Sequence, residues 1–187
     1  MKIRFILFLV VVFSCKNRNT SSKYAGNDKV VETIVARKSK TFFVGDVNND
    51  KINDTAYINL KLNGSADEIG CDEKNCYINV EFNGNIPKIS LNQSLGVFIS
   101  KTEDLNNDNA NEILIFSRTN EGWWDDVSVW SFKNKSWTII AITKAFISED
   151  QDFENRIIKE NGSYYLIGQN PWEEDENGDF KKISVKI

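Results

Sequence analysis

The chain has 187 residues, 41% hydrophobic and 12% aromatic, with only two prolines. That length suits one domain, two at most, and the composition excludes disordered and collagen-like classes. A formal net charge of −4 argues against nucleic acid, which rewards basic faces, and suits cations or a basic protein partner. Histidine is absent. Ser-His-Asp and Cys-His triads and His-ligated zinc are therefore excluded, and acid–base catalysis loses its commonest base. A protein that binds is expected, not an enzyme.

The first element is a targeting segment. Met1-Lys2-Ile3-Arg4 is basic, Phe5 to Phe13 is apolar without interruption, and Ser14-Cys15-Lys16-Asn17 follows. A basic start, a short apolar run and a small residue make a secretory signal. Nine apolar residues are too few to cross a bilayer core as a helix, which takes about 20. Removing Lys2 and Arg4 with the signal takes the net charge from −4 to −6. Residues 16–29 are polar, rich in Ser and Asn, and read as a flexible tether.

The body, from residue 30 onward, alternates short β-type runs with polar turns. Expected strands are Val30–Ala36, Thr41–Val44, Thr55–Leu62, Tyr77–Phe82, Val97–Ser100, Ile113–Ser117, Val127–Phe132, Trp137–Thr143, Arg156–Lys159, Tyr164–Gly168 and Ile183–Ile187. The clearest hairpin is VSVWSF-KNKS-WTIIAI, with Trp130 expected to face Trp137 across it. Asn-Gly pairs at 63–64, 83–84, 161–162 and 177–178 mark further turns. Helix is scarce; only Lys144 to Phe153 could hold a short helical turn. The fold expected is mostly β, with antiparallel sheets in a small sandwich or a partial propeller-like arrangement. Between Cys71 and Cys76 lies the polar stretch Asp-Glu-Lys-Asn. A local disulfide closing a hairpin loop is the favoured state in an oxidising compartment, with free thiols or a thiolate metal site as alternatives.

A near-repeat stands out. GDVNNDKINDTAYINL begins at Gly45 and EDLNNDNANEILIFS at Glu103, each an acidic loop running into a hydrophobic strand. Side-chain oxygens recur at positions one, three, five and nine: Asp46, Asn48, Asp50 and Asp54, then Asp104, Asn106, Asp108 and Glu112. Position seven, Ile52 or Ala110, would add a backbone carbonyl. Calcium takes six to eight oxygens, and alternate side chains on a tightly curled loop can converge on one ion. Three carboxylates per loop also repel one another without a cation. The alternative is a solvated Asx-type turn with no ion. Neither loop is a full EF-hand, because position twelve holds Tyr57 or Ile115 in place of Glu, and position six holds Lys51 or Asn109 in place of Gly. Lys is the poorer fit to the left-handed turn that Gly supplies. A third acidic stretch, Glu173 to Asp179, lacks the ninth acid and reads as a charged hairpin turn.

Three resemblances follow from these residues. Val12-Phe13-Ser14-Cys15 resembles the lipobox of bacterial lipoproteins, which implies cleavage before Cys15 and acylation of Cys15, with Phe13 bulkier than the pattern. The protein would then be lipid-anchored to a membrane of the cell envelope, facing the periplasm or the exterior. The two loops resemble the Asp-x-Asn-x-Asp signature of FG-GAP/VCBS repeats, which implies structural calcium; two copies are too few for a propeller. In size and β-content the chain is similar to small periplasmic proteins that resemble inhibitors of I-type lysozymes, which implies an inhibitory partner surface. Trp123, Trp124 and Trp172 sit beside acidic residues and are the candidate partner-binding aromatics, for protein or glycan. Two further functions stay open: a structural or assembly lipoprotein without metal, and a carboxylate-dependent glycoside hydrolase.

Overall fold

The computed structural model describes residues 36–62, 77–119, 122–146 and 155–187. The signal segment, Cys15, the tether, the run 30–35 and the Cys71–Cys76 segment lie outside the described residues, as do Asn63-Gly64 and most of the stretch read as a helical turn. Lys144 to Phe146, its described part, is strand.

Among the described residues, eleven strands form two antiparallel sheets. The first sheet is a meander of β1 (Ala36–Gly45), β2 (Asp54–Leu62), β3 (Tyr77–Phe82) and β4 (Ile89–Asn92). The second comprises β5 (Ser94–Lys101), β6 (Ile113–Thr119), β7 (Trp124–Lys133), β8 (Ser136–Phe146), β10 (Ser163–Glu174) and β11 (Phe180–Lys186), in the order β11-β10-β8-β7-β6-β5. A short β9 (Ile157–Glu160) pairs with β10. The expected antiparallel β class is therefore present. β4 is the strand the sequence pattern missed: ISLN is only four residues long, too short for alternation to register. Gln93, at φ 53°, turns the chain from β4 in the first sheet to β5 in the second.

Period-two burial explains the layering. On β3, Ile78 and Val80 point inward while Tyr77 and Glu81 face solvent. Ile58, Ile78, Val80 and Ile89 meet Ile99, Ile113 and Ile115 of the second sheet in one core. β6 is buried on nearly every residue because its opposite face builds a second core, Leu114 and Phe116 with Val127, Val129, Tyr164 and Leu166. Each fully buried aliphatic side chain there contributes about 1.5–3 kcal/mol. The second sheet curls on itself to close this core. The β10–β8 ladder consists of the one register pair Gln169–Lys144, and beside it a Cβ on Gly168 would lie 1.9 Å from Thr143 Oγ1. Only glycine permits that approach.

The β7–β8 hairpin departs from expectation in detail. Counting back from the turn places Trp137 opposite Phe132 and Trp130 opposite Ile139, so the two tryptophans do not face each other; a register shift follows only beyond them, between Trp130 and Val129. Trp130 Nε1 donates to Ser128 Oγ instead, and Trp137 Nε1 donates to the Pro87 carbonyl at 2.7 Å. The hairpin turn is Asn134-Lys135, both with positive φ, and Asn161-Gly162 makes the corresponding turn between β9 and β10.

Candidate functional site

The two acidic loops fold alike, position by position. In the β1–β2 loop, Asp46 accepts the amides of Asp50 (3.0 Å) and Lys51 (2.9 Å), and Asp50 accepts that of Ile52 (2.8 Å). In the β5–β6 loop, Asp104 accepts the amides of Asp108 (3.1 Å) and Asn109 (2.9 Å), and Asp108 accepts that of Ala110 (3.2 Å). Positions four and six are left-handed in both: Asn49 (φ 59°) and Lys51 (φ 69°), Asn107 (φ 63°) and Asn109 (φ 68°). Lys51 thus adopts the conformation for which it is the poorer residue. The ninth acid closes each loop by accepting the amide at position two. Asp54 Oδ2 takes Val47 N at 3.1 Å, and Glu112 Oε2 takes Leu105 N at 2.7 Å. Val47 and Leu105 are themselves buried, so each loop is pinned by one apolar anchor and one carboxylate.

The surroundings of the two ninth-position acids differ. Glu112 is fully buried and also takes a hydrogen bond from Asn106 Nδ2, which in turn reaches Ser131 Oγ on β7. Burial, the largest effect, pushes its carboxyl above the ordinary glutamate value; the Leu105 amide and Ser131 oppose this, and Asp108 and Asp104 add to it. Asp54 is raised in the same way, first by burial, with Asp50 and Asp46 reinforcing it against the Val47 amide. By contrast Asn48, Asp50 and Lys51 make their loop hydrogen bonds in solvent.

A residue that motif reading passed over joins the loops. Asn111, at position eight of the second loop, accepts Asp46 N through Oδ1 (3.1 Å) and donates through Nδ2 to Thr102 O (2.9 Å). Its own amide donates to Asp46 O at 2.7 Å. Gly45 (φ 77°) makes room for it, since a Cβ there would lie 2.5 Å from Asn111 Oδ1. The sequence signal was Asn at a position where the first copy has the exposed Asn53.

Topology explains why the loops meet. In an antiparallel meander, alternate connections fall at the same end. The β1–β2 loop, the 83–88 turn, the β5–β6 loop and the β7–β8 turn therefore converge. Two adjoining clefts of about 540 and 660 Å³ lie among them and share Asn48, Phe132 and Lys135. Asp50, Ile52 and Asp54 line one cleft, and Asp108 and Ala110 the other.

As candidate metal ligands, the eight side chains at positions one, three, five and nine form two separate quartets. Their carboxylates are turned onto amides of their own loops, and among the described residues no three acidic, His or Cys side chains close on one point. Carboxylate oxygens that accept one N–H keep further lone pairs, and the position-seven carbonyls of Ile52 and Ala110 stand in the same turns. The candidate aromatics are elsewhere. Trp123 and Trp124 follow the β6–β7 connection, at the other end of the strands. Trp123 stacks on Phe146 and is 68% exposed, while Trp124 packs between Phe146 and Phe180. Trp172 is 91% exposed near the tip of β10. The third acidic stretch is the β10–β11 turn, where Asp175 accepts the amides of Asn177 and Asp179. Comparison of the chain with protein-family models, with curated proteins and with solved structures yields no match.

Proposed function

We propose that this chain is a lipid-anchored protein of the bacterial envelope whose β-domain, stabilised by calcium at its acidic loops, binds a protein or glycan partner. The observation that carries the reading is the pairing of two loops with one hydrogen-bond skeleton at one end of the fold, beside clefts of ligand size. Calcium would relieve the repulsion among three carboxylates per loop and tie both strand entries. The role is structural, with weak affinity on the order of 10⁻⁴–10⁻³ M, as in extracellular modules. Anchoring would come from acylation of Cys15, each buried CH₂ contributing roughly 0.8 kcal/mol. A glycan-cleaving enzyme of the lysozyme kind is the protein partner that the resemblance in size and loop type suggests.

The test is a thermal melt of the full chain in detergent, in millimolar calcium and in chelator. A rise in Tm with calcium, lost in the Asp50→Ala/Asp108→Ala double variant, is expected. Identical melts in calcium and chelator would remove the metal from the proposal. Mass spectrometry of the N-terminal peptide checks the anchor, and unmodified Cys15 would refute it. Lysis assays against a panel of lysozymes check the inhibitory version.

A further inference from the structure

We infer that the pair of clefts at the loop end is a saccharide-binding groove, taking a neutral oligosaccharide. This deepens the proposed function and rests on its binding reading, but needs neither the metal nor the anchor.

Three features of the clefts select the ligand. The first is their lining. Asn85 and Asn134 reach them from two separate connections, with Phe132 lining both clefts; Asn48, which also lines both, is already bonded to Asp50 through Oδ1 and Nδ2. A side-chain amide offers two donors and an acceptor, which matches the vicinal hydroxyls of a sugar, donors and acceptors at once. Phe132 is half-buried, held at ring-centroid distance 5.1 Å by Trp137, and so presents a fixed apolar face against which the C–H face of a pyranose packs. The second feature is charge balance. Lys135 lines both clefts, together with Asp108 in one and Asp50 in the other. A phosphorylated or polyanionic ligand would meet the acidic loops, and a polybasic peptide would meet Lys135 and Lys133, so the groove discriminates against both signs. The third is rigidity. The hairpin tip is fixed to the opposite wall by the Trp137–Pro87 hydrogen bond, and the two loops are tied by Asn111. Preformed walls lower the ordering cost that weak polar contacts would otherwise have to offset. Each cleft, about 540 or 660 Å³, exceeds what a lone ion needs.

The test is titration calorimetry of the full chain in lipid nanodiscs, which avoids sugar-headed detergents. The probes are tetramers of β-1,4-linked glucose, mannose and N-acetylglucosamine, with a sulfated oligosaccharide and an oligolysine as controls. At least one neutral tetramer is expected to bind with Kd below about 1 mM, the ordinary range of single weak sites. Asn85→Ala and Lys135→Gly alter exposed side chains, and the glycine fits the positive φ of Lys135. Each should weaken binding at least fivefold while leaving Tm within 2 °C of wild type. Failure of every neutral tetramer, unchanged affinity in both variants, or tighter binding of either charged control would overturn the inference. A calcium-dependent Tm shift or capture of a protein partner alongside such a failure would leave the broader binding reading standing. Saccharide binding without a calcium shift would uphold the groove and the binding reading and remove only the metal.

Discussion

The two acidic loops share a backbone and differ in what they do for the fold. The β5–β6 loop is the more tied in, although its tip residues Asn106, Asn107 and Asn109 are exposed: its third residue reaches Ser131 as well as the ninth acid, and its eighth holds the other loop. The β1–β2 loop repeats the same turns with Asn48, Asn49, Asp50 and Lys51 working in solvent. One motif thus supports two degrees of integration. The difference is made by neighbours, since both loops satisfy their own amides equally well.

That asymmetry can be broken at several points. The largest effect is expected from Glu112→Ala, which orphans the buried Leu105 amide and removes one of the two hydrogen bonds of the Asn106 side chain, at about 2–4 kcal/mol in urea unfolding. The equivalent Asp54→Ala removes one such bond, and about 1–2 kcal/mol is expected. If Asp54→Ala costs as much as Glu112→Ala, the second loop is not the more integrated one. Next, Asn111→Ala should cost about 1–3 kcal/mol by parting the loops. Gly45→Ala should be less harmful in that background than alone, because the clash with Asn111 disappears while the positive φ remains. Additive losses in this double-mutant cycle would refute the clamp.

Smaller effects separate the turns. Lys51→Gly should stabilise by about 0.5–1 kcal/mol, relief of the left-handed strain being partly offset by the freer unfolded chain. Asn109→Gly should gain less, since Asn already tolerates that conformation. Equal gains would mean that the Lys51 turn carries no extra strain.

The smallest expected signal is in pH. Burial raises the carboxyls of Glu112 and Asp54, so the folded chain holds their protons more tightly than the unfolded chain. The resulting contribution is fully present below the unfolded carboxylate values of about 4 and is lost as pH rises through the higher folded values. In chelator, wild type should therefore lose stability over that window more than Glu112→Gln does. In calcium the trend should reverse, because the cation needs the ionised forms. Coincident profiles for wild type and variant would remove this linkage.

Much was legible in the chain before any fold was known. The β class, the Tyr77–Phe82 strand and the Asn-Gly turns at 83–84, 161–162 and 177–178 follow from period-two patterning and from residues that accept positive φ, which are local properties. The near-repeat also announced two similar loops, because side-chain spacing dictates which amides a short acid can cap. Tertiary structure alone decided that the loops adjoin and that Asn111 rather than a motif residue joins them. Those outcomes depend on strand parity and on sheet curvature, which bring together residues far apart in sequence. The same physics separates Asp54 from Glu112: the chain writes an acid at each ninth position and both are buried, but the packing around each determines which further side chains it meets.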